Sequence, residues 1–194
     1  MSKIQTRRIG SKKSPTMELD INLRQMFGQR VPDSVAFREA VGQEIIDRIV
    51  SRTTGDNKSR TGKQFKGYSE AYVNSEAFAV FGKSAANVNL TLSGDMLNTL
   101  DVVDSGPNFI TIGFAVNEVK GRAHGHVRGI RRRMGNSKKS KMGKVRRDFF
   151  GLPDGDYRRI AEGFTIPSLV PTDAEVDATS LLVTLRELFG GEEG

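Results

Sequence analysis

Met17, Leu19, Ile21 and Leu23 alternate strictly with Glu18, Asp20 and Asn22, the period-two pattern of a strand with one face in a core and the other in water. Farther along, the period changes. Phe37, Val41, Ile45 and Ile49 recur at every fourth position, and Arg38, Glu39, Gln43, Glu44, Asp47 and Arg48 fill much of the remainder. With Pro32 just ahead and Asp33 or Ser34 as the cap, this predicts an amphipathic helix that stops before Gly55. The following TTGDNKSRTGKQFKG reads as a polar loop, and SEAYVNSEAFAVFGKSA fits helix or strand equally. Val88, Leu90 and Leu92 alternate again, and Ser93 can cap a short helix through Met96 and Leu97. SGPN at 105–108 has turn chemistry, and Ile110, Ile112, Phe114 and Val116 then alternate as a second strong strand.

A long helix with one apolar face needs a sheet to lie on, so the expected fold is α+β, with an antiparallel or mixed sheet packed by that helix. Tyr157, Ile160, Ala161 and Phe164 fall at i, i+3, i+4 and i+7, with Asp154 placed as cap and Gly163 near the stop, which predicts a later helix. A further helix is expected at about 173–189, with Leu181, Leu185, Leu188 and Phe189 on one side. Residues 1–16 have few apolar side chains to repay ordering and are expected to form a flexible basic arm. The predicted organisation is that arm, a single α+β domain over 17–170, and an acidic helical extension over 171–194.

Charge changes the picture. The net charge of +7 is unevenly placed: residues 1–14 carry five basic and no acidic residues, and 128–147 carry ten basic and no acidic ones. The ten are Arg128, Arg131, Arg132, Arg133, Lys138, Lys139, Lys141, Lys144, Arg146 and Arg147. The remaining chain is net acidic, so the molecule is an acidic body with two basic segments, a pattern suited to nucleic acid or acidic protein partners. The run 128–147 reads as a long loop and contains no aromatic residue, so any nucleic-acid contact by it is expected at the phosphate backbone. It ends abruptly at Phe149, Phe150, Gly151 and Leu152, which read as a core anchor for the loop.

Little in the chain points to catalysis. Without cysteine, disulfides, thiolate metal sites and a cysteine nucleophile are excluded. FGKS and RTGKQ both lack the first glycine of a phosphate-binding loop, having Ala77 and Asn57 there, and Gln64 stands where Ser or Thr should hold the metal. His124 and His126 would share a face on a strand, but no third histidine exists to complete a site, and structural or solvent-exposed roles are expected for both. Asp154 and Asp156 read as helix-start residues rather than an acid/base pair, and no G-x-S-x-G turn is present. No cofactor, metal or catalytic residue is expected. No stretch approaches the ~20 apolar residues of a membrane span, nor does an apolar run follow the basic N-terminus, so a soluble chain made in the cytoplasm and no membrane partner are expected.

The order RTGKQFKGYSEAY, FGK, VNLTLSGDML, a Gly-Pro-Asn turn and strand, AHGHVRG, a basic stretch and RRDFFGL resembles the tail-completion and virion-morphogenesis proteins of tailed phages. The resemblance spans roughly 33–165 and falls on Leu92, Gly94 and Leu97, on Ala123, His124 and Gly129, and on Arg147, Phe149, Phe150, Gly151 and Leu152. Phe150 departs from the common Leu, and Pro153 stands where a capping Ser or Thr is usual. The resemblance implies a non-catalytic structural protein of the virion neck, made in the host cytoplasm. It would form a homo-oligomeric ring that joins the DNA-filled head to the tail, beside other neck, connector and tail proteins.

In such a ring the basic loop could touch packaged DNA or reach an acidic surface on a neighbour, including a neighbour's residues 172–194. Protein contact is the favoured expectation. The alternative, from another class, is a stand-alone, non-sequence-specific nucleic-acid-binding protein of ribosomal or nucleoid type, which the sequence pI near 9.8 fits. A hydrolase remains a formal third.

Overall fold

A computed structural model describes residues 3–11, 16–28, 31–80, 83–85, 88, 95–132 and 143–164. Four strands, β1 (Gln5–Ile9), β2 (Met17–Asn22), β3 (Leu100–Gly106) and β4 (Phe109–Phe114), form an antiparallel sheet in the order β1-β2-β4-β3. Leu19 stands opposite Ile112 and Ile21 opposite Ile110, so the inward sides of the two central strands coincide. Met17, Leu19, Ile21, Ile110, Ile112 and Phe114 are at most 1% exposed, and they make the apolar face on which the helices pack. The fold is therefore α+β, with the sheet wholly antiparallel.

The long helix α2 (Val35–Thr54) starts where Ser34 accepts from the Phe37 N–H at 3.3 Å, and buries Val41, Ile45, Ile46 and Ile49. Gly42 lets it approach the sheet, since a Cβ there would overlap the Val102 side chain on β3. β3 breaks register between Val102 and Asp104, a bulge that leaves Val103 44% exposed.

The shorter helices are α1 (Leu23–Phe27), α3 (Glu70–Val73), α4 (Glu76–Val80), α5 (Asp95–Asn98), α6 (Asn117–Arg128) and α7 (Asp154–Gly163). The ambiguous stretch after the polar loop is thus two short helices, α3 and α4. Phe27, Phe37 and Phe164 bring α1, α2 and the end of α7 together, with ring centroids 5.2–6.1 Å apart in edge-on geometry. Pro153, not Asp154, occupies the cap of α7, and Asp154 and Asp156 lie in its first turn, where carboxylates favour the helix dipole.

Two expectations need correction. The basic arm at 1–16 contains β1, an edge strand paired with β2 over its whole length. Its inward positions are Gln5, Arg7 and Ile9, and the first two are repaid for ordering by polar partners rather than by apolar contact. The run 128–147 is also not one loop. Arg128 is the last residue of α6, and a two-stranded ribbon of β5 (Ile130–Arg132) and β6 (Gly143–Val145) follows. Arg133, Lys138, Lys139 and Lys141 lie outside the described residues, as do the alternating Leu90 and Leu92, the Ser93 cap and the helix expected at 173–189.

Candidate functional site

Phe149, Phe150 and Leu152 have no solvent exposure. Phe150 stacks on Phe114 of β4 at 5.6 Å with rings 30° apart, and Phe149 meets both in edge-on contact at 6.3–6.4 Å. Gly151 has φ +114°, a conformation closed to most side chains, and a Cβ there would lie 2.9 Å from Gln5 Oε1. The bend thus aims backbone groups at polar side chains. Gln5 Nε2 donates to the Leu152 carbonyl at 2.6 Å, Tyr157 Oη donates to Gln5 Oε1 at 2.8 Å, and Arg52 Nη2 donates to the carbonyls of Phe149 and Gly151, each at 2.7 Å. Burial raises the Tyr157 hydroxyl well above its ordinary pKa, keeping it a neutral donor. Arg52 is 7% exposed, its Nε and Nη1 meet no acceptor among the described residues, and burial lowers its pKa.

Just before this anchor lies Asp148, the first acidic residue after the basic run. Arg7 of β1 binds it bidentately, Nη2 to Oδ1 at 2.6 Å and Nη1 to Oδ2 at 3.1 Å. Arg60, from the polar loop, reaches Oδ2 through Nε at 3.1 Å, and its backbone N–H donates to the Asp148 carbonyl at 2.7 Å. Arg146 Nη2 lies 3.3 Å from the same Oδ2. Three guanidinium groups therefore share one carboxylate. Burial lowers the pKa of Arg7, the hydrogen bond and charge of Asp148 oppose this, and the nearby charges of Arg60 and Arg146 lower it further.

The end of the basic run is fastened to the body. Arg146 Nε donates to the Val127 carbonyl at 2.8 Å and the Arg147 N–H to that of His126 at 2.9 Å, so both satisfy carbonyls in the last turn of α6. The Arg147 guanidinium sits over the Tyr68 ring at 5.2 Å, and Tyr68 packs with Tyr72 and Phe78. Arg128 is exposed and donates to the Ile9 carbonyl at 3.1 Å. Arg131, Arg132 and Lys144 lie on the ribbon that rises from this corner.

Other candidates do not assemble. His124 and His126 lie two residues apart on α6, hence ~160° apart around its axis, and a His124 ring nitrogen is 2.9 Å from the Gly10 carbonyl. Among the described residues, no three His, Asp or Glu side chains could hold a metal ion, and no helix is long and apolar enough to cross a membrane. A groove of about 380 Å³ at the opposite sheet edge is lined by Glu39, Gln43 and residues Asp101–Ser105 of β3.

Sequence reading found the anchor and the two arginines beside it but missed Asp148, Arg7, Arg60, Gln5 and Arg52. One signal was available for Asp148: a lone carboxylate between ten cations and two phenylalanines. No family model, curated protein or solved structure matches the chain.

Proposed function

We propose that this chain is a ring-forming structural subunit of the tail-completion type, placed in the neck of a tailed-phage virion between the DNA-filled head and the tail, and acting without catalysis. One observation carries this reading. The segments RTGKQFKGYSEAY, AHGHVRG and RRDFFGL, whose order gives the resemblance, meet at Asp148: Arg60 comes from the first, the last-turn carbonyls of α6 from the second, and the carboxylate and apolar anchor from the third. The ribbon that carries the basic run is thereby rooted in the core at the β1 edge. A neighbouring subunit, another neck, connector or tail protein, or packaged DNA would meet it in a fixed orientation.

The surplus of cations at the same corner favours the second reading, a stand-alone nucleic-acid-binding protein. The two part in the phage itself. A stop codon early in the gene should yield, by negative-stain electron microscopy, DNA-filled heads beside unattached tails, or heads that have lost their DNA. Normal infectious particles would remove the neck reading and leave the nucleic-acid one.

A further inference from the structure

We propose that the loop over residues 56–66 and the Asp148 corner form one binding surface for the phosphate backbone of a nucleic acid. Within the loop, Lys58, Arg60, Lys63 and Lys66 face a single acid, Asp56, which lies 3.5 Å from Lys58. The loop is pinned at several points: Lys58 bridges Gln64, the Ser59 N–H donates to the Lys63 carbonyl at 2.7 Å, Phe65 is buried, and the Arg60 N–H is held by the Asp148 carbonyl. The backbone that presents its cations is therefore already ordered before binding, and only the lysine side chains have rotamer freedom left to lose.

Lys63 and Lys66 are exposed and have no ion-pair partner among the described residues. Beside them, Arg60 and Arg146 are 34% and 58% exposed at their side chains and share Asp148 with Arg7. One carboxylate cannot neutralise three guanidinium groups, so the corner retains positive charge that an anion would balance. Arg128, exposed beside them, extends the same surface.

Phosphate fits better than an acidic protein. Protein interfaces draw their affinity from a buried apolar centre, and the large apolar side chains exposed among the described residues are Val35, Val80, Val103, Phe109 and Val116. None lies in 56–66 or 146–152. No aromatic ring is open for base stacking there either, since Phe65 is buried and Tyr68 lies under Arg147. The surface would therefore follow the sugar-phosphate chain without reading sequence.

This assignment holds whether or not the chain builds a ring, and its test needs no phage. Binding of the purified full-length protein to a fluorescent random-sequence duplex is followed by anisotropy across a salt series. Affinity should fall linearly in the double-logarithmic plot, and Lys63→Gln with Lys66→Gln should lower the slope by about 2, at ~0.9 per lost phosphate contact. The melting temperature should stay unchanged. A companion variant, Arg131→Gln, Arg132→Gln and Lys144→Gln, should weaken binding without abolishing it. The proposal is overturned by an unaltered slope in the lysine variant, by complete loss of binding in the ribbon variant alone, or by no binding at low salt. Displacement of the duplex by polyglutamate at equal charge concentration would overturn it in favour of an acidic protein partner.

Discussion

Arg7 and Arg8 are neighbours on β1, yet they serve opposite surpluses on opposite sides of the sheet. On the inner side, Arg7 competes with Arg60 and Arg146 for Asp148. On the outer side, Arg8 is shared by two acids, Asp20 at 2.8 Å and Glu18 at 3.0 Å, and the nearby charge of Asp104 also favours its protonated form. Exposure separates the two as well: the Arg7 side chain is 13% exposed and that of Arg8 is 56%. Strand alternation alone places two identical residues in different dielectric surroundings. In the outer one, water screens the pairs and each adds little. In the inner one, removing a partner strands a charge that is largely withdrawn from water. The sign in surplus is thus positive on the inner side and negative on the outer one.

The largest expected effect tests what supports the inner side. Phe150→Ala removes a fully buried ring stacked on Phe114 and should cost about 3–5 kcal/mol in urea unfolding. A loss under about 1 kcal/mol would mean that the corner stands without its apolar base. Next, Asp148→Ala should destabilise by about 3 kcal/mol, because Arg7 is left largely buried without its carboxylate. The matching Asp20→Ala should cost less, about 1–2 kcal/mol, because Glu18 still pairs with Arg8 and the loss is mainly the acceptor of the Thr111 hydroxyl. Equal losses from the two carboxylates would break the comparison.

The smallest effect concerns acid. For Asp20, burial acts to raise the pKa, but hydrogen bonds from Arg8 and Thr111 and the charge of Arg8 outweigh it, so the folded value lies below the ordinary one. A depressed folded pKa gives stability that is complete above the unfolded value, near 3.9, and is lost as pH falls through the folded value. Asp20→Asn should therefore flatten the decline of stability below about pH 4 and leave its slope near neutrality unchanged. Melting temperatures across an acid series measure this, and an unaltered slope below that pH would remove Asp20 from the account.

Legibility in the sequence followed apolar periodicity. α2, β2 and β4 could be read because their inward positions are Val, Ile, Leu, Met and Phe, and the burial of Phe149 and Phe150 follows from the same signal. β1 could not be read, because Gln5 and Arg7 stand where apolar side chains would mark a strand. What fixes them is Asp148 and the Leu152 carbonyl, more than 140 residues away, and no local window contains that information. The two histidines lack a third to complete a site, and their spacing would bring them to one face only on a strand, whereas α6 separates them. The polar loop could be read as a loop from its turn residues, but its attachment through the Arg60 N–H to the Asp148 carbonyl is a property of the folded chain alone.

The bond between Gln5 and Leu152 spans 147 positions, that between Arg7 and Asp148 spans 141, and that between Tyr157 and Gln5 spans 152. Contacts of such separation close late, because chain-closure entropy must be met before they give any return. During synthesis β1 emerges before β2 and can pair with it soon afterwards, but Gln5 and Arg7 on its inward side lack their polar partners until the segment from Asp148 to Tyr157 has emerged. The polar side of β1 is thus fastened only by residues near the far end of the described chain, so completion of this corner requires that nearly all of it has been delivered.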